Sequence, residues 1–208
     1  MDRIFIAAAP RQDVAPKPGV VSLPYEPVNN ERLGFEESLN YPVINIMHGY
    51  VEKDDKVKVL VITADYDFCK RNFKLIKEAA EAVCKEAGAS ECLVKEIAVE
   101  FSEESENHLK IFESLVEEIH DGDRLSACIT YGSKPTPLLE IMALNYGYRT
   151  CKNVAIDCIA YGEMDHATRV KRIYDVTSLF LMDQIVNELS KKGNKNTLSI
   201  IQGLLAEE

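Results

Sequence analysis

The sequence predicts an α/β fold: a doubly wound, mostly parallel sheet of six strands with helices on both faces. Three observations predict it. Strand-like runs alternate with amphipathic stretches of helical period along nearly the whole chain. The strand-like runs, such as Val57 to Thr63, are rich in β-branched residues and almost continuously apolar, as strands buried on both faces are. Three of the runs end in small or hydroxyl residues, Ala8-Ala9, Thr63-Ala64 and Thr130-Tyr131-Gly132-Ser133. Such folds bind ligands outside the carboxyl ends of their strands, so the meeting point of these three ends is the expected site.

The elements follow in order. Arg3 to Ala9 reads as a buried first strand closed by small residues that let a ligand approach the backbone. Residues 10–34 hold Pro10, Pro16, Pro18, Pro24 and Pro27 and read as one long irregular loop, of the kind that serves as a functional lid or stays disordered. Arg11 and Gln12 are candidates to face a ligand there; Lys17 reads as solvated. Phe35 to Val51 carries apolar residues at helical spacing, with a firm start just before Pro42, where proline is tolerated. Val57 to Thr63 is the second strand. A helix from Asp67 to Ala87 follows, with Phe68, Phe73, Ile76, Ala80 and Val83 as its apolar face and Gly88 as its stop. Cys92 to Val99 is the third strand. Ser105 to His120 is a helix with Leu109, Phe112, Leu115, Val116 and Ile119 inward. Leu125 to Ile129 is the fourth strand, and its helix runs from the Pro135–Pro137 turn to Tyr146, ended by Gly147. Val154 to Tyr161 and Arg172 to Val176 are the last strands, Ser178 to Lys191 a helix stopped by Gly193, and Thr197 to Ala206 a final short helix. Residues 1–193 form the domain and 194–208 a helical tail.

Length and composition narrow the function classes. The 208 residues suffice for one sizeable core, with 46% hydrophobic and 28% charged residues. No apolar run approaches a membrane span, and the start Met1-Asp2-Arg3 is too acidic for a signal peptide, so a cytoplasmic protein is expected. The six cysteines are scattered, with no C-x-x-C pair and no zinc spacing; they read as reduced structural thiols, and no metal or other cofactor is expected. A formal charge of -10 argues against long DNA or RNA, which needs a basic face, but not against a small anion held by local donors. The glycine-rich dinucleotide fingerprint is absent.

The stretch Ile129-Thr130-Tyr131-Gly132-Ser133-Lys134-Pro135-Thr136 lies where the fourth strand gives way to a helix. A helix start offers unpaired N–H groups and the positive end of its dipole. Hydroxyls and one ammonium beside it make a pocket for an anion, most often a phosphate. The bland alternative is a plain turn, with Ser133 as a cap and Lys134 as a surface lysine.

These residues resemble the CRISPR-associated Rossmann-fold (CARF) family, the sensor domain of type III CRISPR ancillary proteins. Ile129 to Pro135 looks like the family's Thr-His-Gly motif followed by a basic residue and a proline. Tyr41-Pro42-Val43 resembles its first-helix signature, Tyr161-Gly162 a strand end, and Tyr174 to Ser178 the approach to its last helix. The resemblance covers roughly residues 1 to 193. It implies a Rossmann-like homodimer that binds a cyclic oligoadenylate, usually cyclic tetra-adenylate, across its two-fold axis. Carried over, Ser133, Lys134 and Thr136 with the Gly132 backbone would hold phosphates, and Thr130 and Tyr131 of the same motif belong to the ligand-binding set. Ala9, Pro10, Arg11 and Gln12 line the adenine and ribose side, and Thr63 and Asp65 border the ligand. Two departures stand out. Tyr131 replaces the common histidine. No histidine (His48, His108, His120, His166) follows an arginine at the spacing of the family's fused RNases, and with about fifteen residues after Gly193 an effector domain is not expected within this chain.

Two functions compete. One is a ring nuclease that cuts the messenger without a metal, a ribose 2′-hydroxyl attacking the next phosphorus while Lys134 and Ser133 steady the phosphate oxygens, giving 2′,3′-cyclic phosphate ends. The other is a sensor module without chemistry that regulates a separate or removed effector. A third and blander possibility is an α/β enzyme for another nucleotide.

Overall fold

A computed structural model describes residues 1–14, 23–37, 39–100, 102, 104–165, 167–193 and 196–205. Lys17 and His166 lie outside the described residues. The chain forms two compact units, Met1–Asp175 and Val176–Glu208.

The first unit is an α/β sheet structure. Its elements are β1 (Asp2–Ala8), β2 (Tyr25–Pro27), α1 (Pro42–Tyr50), β3 (Lys56–Ala64), α2 (Asp67–Ala87), β4 (Glu91–Val99), α3 (Ser105–Val116), β5 (Arg124–Cys128), α4 (Thr136–Thr150), β6 (Ala155–Met164) and β7 (Lys171–Asp175). Among the described residues the sheet has seven strands, in the order β2-β7-β6-β5-β1-β3-β4. β4, β3, β1, β5 and β6 run parallel; β7 is antiparallel to β6, and β2 is parallel to β7. The second unit holds α5 (Thr177–Lys191) and α6 (Thr197–Leu205), which touch each other.

Consecutive residues of β1 divide between two apolar layers. Phe5, Ala7 and Ala9 join a core with Val57, Val59 and Val61 of β3 and with Ile44, Met47, Ile76 and Ala80 of α1 and α2. The alternate residues Ile4, Ile6 and Ala8 are equally buried, and α4 lies against β1, β5 and β6 while packing on α3. Strands buried this way need no polar face, which is why their sequence runs are continuous rather than alternating. At the amino end of the sheet, buried Arg3 reaches Asp55 (Nε to Oδ2, 2.5 Å) and Asp157 (Nη1 to Oδ2, 2.7 Å), and Arg124 also pairs with Asp157. Burial works to raise the Asp55 carboxyl, but the Arg3 hydrogen bond and the Glu52 N–H outweigh it and hold the group below the usual range.

Several elements differ from the expectation. The seventh strand, β2, lies inside the stretch expected to be loop. It is three residues long, with only Tyr25 buried, so no period marks it. Residues 35–37, 39 and 40 are not helical; α1 begins at Pro42, and Phe35 instead stacks on His48 with centroids 4.5 Å apart. On α2, Phe68 is exposed and Cys69 and Asn72 are buried. On α3, which stops at Val116, Leu109 is exposed and Ile111 is buried. Gly147 does not end α4, which continues to Thr150: the helix crosses so close to Ile119 that a Cβ at 147 would sit 2.8 Å from Ile119 Cγ2. β6 continues past Tyr161-Gly162 to Met164 because β7 pairs with it there.

Candidate functional site

Among the six longer strands the order is β4-β3-β1-β5-β6-β7, so the chain winds outward in one direction from β1 and in the other from β5. At such a reversal the loops leaving the two central strands diverge and open a crevice at their carboxyl ends. A cleft lies there, lined by Ala8 of β1 with Ala9 and Arg11 after it, Thr63 and Ala64 of β3, Val99 of β4 with Glu100 and Ser102 after it, Asn107 and His108 of α3, Gly132 and Ser133 after β5 and Thr136 of α4. A second depression lies at the opposite ends of the strands. Two of its polar groups are committed locally: Asp123 Oδ2 accepts the His120 N–H at 2.7 Å, and Lys58 Nζ donates to Glu118 at 2.6 Å.

The two sides of the cleft are held differently. After β1, Ala9 N–H donates to Ile62 C=O at 2.8 Å, which continues the sheet register by one residue. The buried Asn72 of α2 then clamps the loop. Its Nδ2 donates to Pro10 C=O and Gln12 C=O, each at 2.9 Å, while its Oδ1 accepts from Tyr41 at 2.8 Å. Arg11 sits between the two clamped carbonyls and lines the cleft; Pro10 is buried and Gln12 exposed. On the β3 side, Thr63 donates its hydroxyl to Glu96 at 2.7 Å, whereas Asp65 is exposed and pairs with Lys70 at 2.7 Å.

After β5, Gly132 takes φ 109°, and a Cβ there would lie 2.6 Å from Thr136 Cβ, so the turn admits only glycine. Ser133 N–H donates to Thr136 Oγ1 at 3.0 Å, the two hydroxyl oxygens are 2.9 Å apart, and Thr136 N–H donates to Ser133 C=O at 3.0 Å. These bonds correct the expectation of open N–H groups at the start of α4. Pro135 and Pro137 have no N–H, and Leu138 N–H is taken by Pro135 C=O at 3.0 Å. What this turn brings to the cleft is Gly132, Ser133 and Thr136, the two hydroxyls lying against each other. Lys134 is exposed on the turn and does not line the cleft.

Thr130 and Tyr131 face elsewhere. Thr130 Oγ1 accepts the Gly162 N–H at 2.8 Å, tying β5 to β6. Tyr131 donates its hydroxyl to Asn40 C=O at 2.8 Å, at the approach to α1. Burial and the neighbouring Tyr25 push the Tyr131 phenol far up, and burial takes Tyr25 up to about 12. Beside them the buried Lys171 donates to Asn40 Oδ1 at 2.8 Å, and burial brings its ammonium down to about 8. Nearer the cleft, one turn beyond Thr136 on α4, Glu140 is fully buried with no hydrogen bond to either oxygen, and burial raises its carboxyl well above the usual range.

Three contributors escape the sequence. Asn72, Asn107 and His108 carry no motif, and only the third strand's carboxyl end points to the last two. Asn107 Nδ2 donates to Glu100 C=O at 3.0 Å and Ser102 C=O at 2.8 Å, which fixes the start of α3 against the loop after β4. Among the described residues the polar lining is mixed: a guanidinium, an imidazole, an amide, hydroxyls and the Glu100 carboxylate. No protein-family model matches the chain, and no curated protein matches it.

Proposed function

We propose that this protein binds a cyclic oligoadenylate, with cyclic tetra-adenylate as the preferred ring, in a homodimer of Rossmann-like, doubly wound CARF-type domains, as an antiviral sensor of the type III CRISPR kind. One observation carries the reading: the loops after β1 and β5 meet in one cleft at the reversal of strand order, bringing Arg11 and Ser133 to a common opening. A guanidinium and a hydroxyl suit a phosphodiester; the apolar lining of Ala8, Ala9 and Ile62 suits a base. The cleft is too small for a whole ring, which fits a ligand shared between two subunits. On this reading the exposed Lys134 meets the part of the ring outside the cleft. The bound ring is opened by its own ribose 2′-hydroxyl, giving 2′,3′-cyclic phosphate ends.

A second reading, a sensor without chemistry acting on a separate effector, is favoured by the position of Lys134 outside the cleft lining. The test is equilibrium binding of labelled cyclic tetra-adenylate and cyclic hexa-adenylate, with products separated by chromatography. The expected result is binding of cyclic tetra-adenylate with linear 2′,3′-cyclic phosphate products, and binding at least about tenfold weaker in Arg11→Ala, since hydrogen bonds to charged groups contribute about 1.5–3 kcal/mol. Absence of binding to either ring removes the reading; binding with the ring left intact selects the second one.

A further inference from the structure

We propose that His108 is the proton-transfer residue of this cleft. The inference rests on the ring-opening reading above and adds a catalytic residue that nothing in the sequence pattern marks. Among the described histidines, His48 stacks on Phe35 and His120 accompanies Glu118 at the other end of the sheet, and His108 lines the cleft. It stands in the first turns of α3, half-buried, on the same opening as Arg11 and Ser133.

Its placement is built rather than incidental. Asn107, its neighbour in the chain, spends both amide hydrogens on the carbonyls of Glu100 and Ser102, and His108 N–H donates to Glu104 C=O at 3.1 Å. The α3 start is therefore pinned to the loop leaving β4, and the imidazole is presented from a fixed helix start rather than from a free loop. Asn107 is a positioning residue: its donors are used, so it orients rather than reacts.

The chemistry balances with one imidazole. Its unprotonated nitrogen takes the proton of a ribose 2′-hydroxyl, and O2′ forms a bond to the adjacent phosphorus as the P–O5′ bond breaks. The imidazolium then returns the same proton to O5′. The products are a 2′,3′-cyclic phosphate and a free 5′-hydroxyl, with no water consumed. Imidazole is the side chain suited to take and return a proton near neutral pH. Arg11 faces the same opening and offsets charge on the non-bridging oxygens as the phosphorus becomes five-coordinate. Lys134 and Ser133 are not required to move a proton.

The experiment is single-turnover cleavage of labelled cyclic tetra-adenylate by the 208-residue chain, with binding titrated in parallel, for wild type, His108→Ala and His108→Gln. The expected result is ring affinity within about threefold of wild type and cleavage slower by a factor of about 100 or more in both variants, the usual worth of general acid–base catalysis. Added imidazole should restore part of the rate in His108→Ala and none in His108→Gln, a readout that a purely structural role does not move. Cleavage at the wild-type rate in either variant overturns the assignment and leaves the ring-nuclease reading standing. Loss of affinity in step with loss of rate, or a His108→Ala defect that imidazole does not repair, also overturns it. A wild-type protein that holds the ring uncut overturns it and keeps the binding reading, whereas a wild-type protein that does not bind the ring overturns both.

Discussion

Glu140 is the residue whose position contradicts its chemistry most sharply. A carboxyl with no exposed surface and no donor on either oxygen is stable only in its neutral form. Burial raises its pKa, so between the unfolded value of 4.5 and the folded value the native chain holds a proton that the unfolded chain has released. Stability then falls as pH rises through that window, because the native state binds more protons. Glu140→Met keeps the volume and removes both the desolvated oxygens and the titration. It should stabilise the protein at pH 7 by about 1–3 kcal/mol in urea unfolding. The gain should shrink toward pH 4.5; an equal gain at both pH values would mean that the carboxyl titrates alike in the folded and unfolded chains, and a loss at pH 7 would mean that it is charged and partnered in the native state. A residue this costly in the helix beneath Ser133 and Thr136 is a place where fold stability yields to something else.

Elements meet at glycines that no helical pattern explains. Gly49 lies inside α1, where alanine would ordinarily gain about 1 kcal/mol of helix propensity. Here a Cβ would stand 2.0 Å from the Arg32 carbonyl oxygen, part of the 3-10 turn Glu31–Leu33. That turn is also held by Arg32 Nε donating to Gly49 C=O at 3.1 Å and Asn45 Nδ2 donating to Leu33 C=O at 3.0 Å. The obstacle is backbone and has little freedom to give, so the sign reverses: Gly49→Ala should destabilise by about 1–3 kcal/mol, seen as an earlier urea midpoint at unchanged slope. A neutral or stabilising result would mean that the turn is not seated on α1. Neither Gly49 nor its partner turn is legible in the sequence, because the contact joins residues 17 apart and leaves no period. α2 is different. Its bounds, Asp67 to Ala87, follow from a 21-residue apolar period and a glycine stop, both local. The strands are legible for the same reason, but β2 is not, since three edge residues carry no pattern. At the cleft the strand ends at Ala9, Thr63 and Ser133 announce themselves by small and hydroxyl residues. The Asn72 clamp and the Asn107–His108 start of α3 depend on contacts between elements and do not.

At the scale of the molecule the question is how a chain of formal charge -10 would hold a polyanion. Two such chains repel a cyclic nucleotide at long range, and only short-range donors can bind it. At physiological ionic strength charges separated by more than about 8 Å are largely screened, so the repulsion fades while contacts inside the cleft persist. Binding should therefore weaken only gently with salt, unlike the steep losses of proteins that neutralise many phosphates along DNA. A shared ring also fixes stoichiometry. Titration calorimetry should end at one ring per two chains, and the complex should sediment as a dimer. Ligand at one hundred times its dissociation constant adds about 2.7 kcal/mol to each dimer, half of that per chain, which for chains of this size raises the melting temperature by about 3–5 °C. One ring per chain, with an equally large thermal shift, would place the whole ligand within a single subunit. The cleft could accept that only by widening where Arg11, Glu100 and Ser133 now line it, and the two-fold arrangement would lose its physical basis.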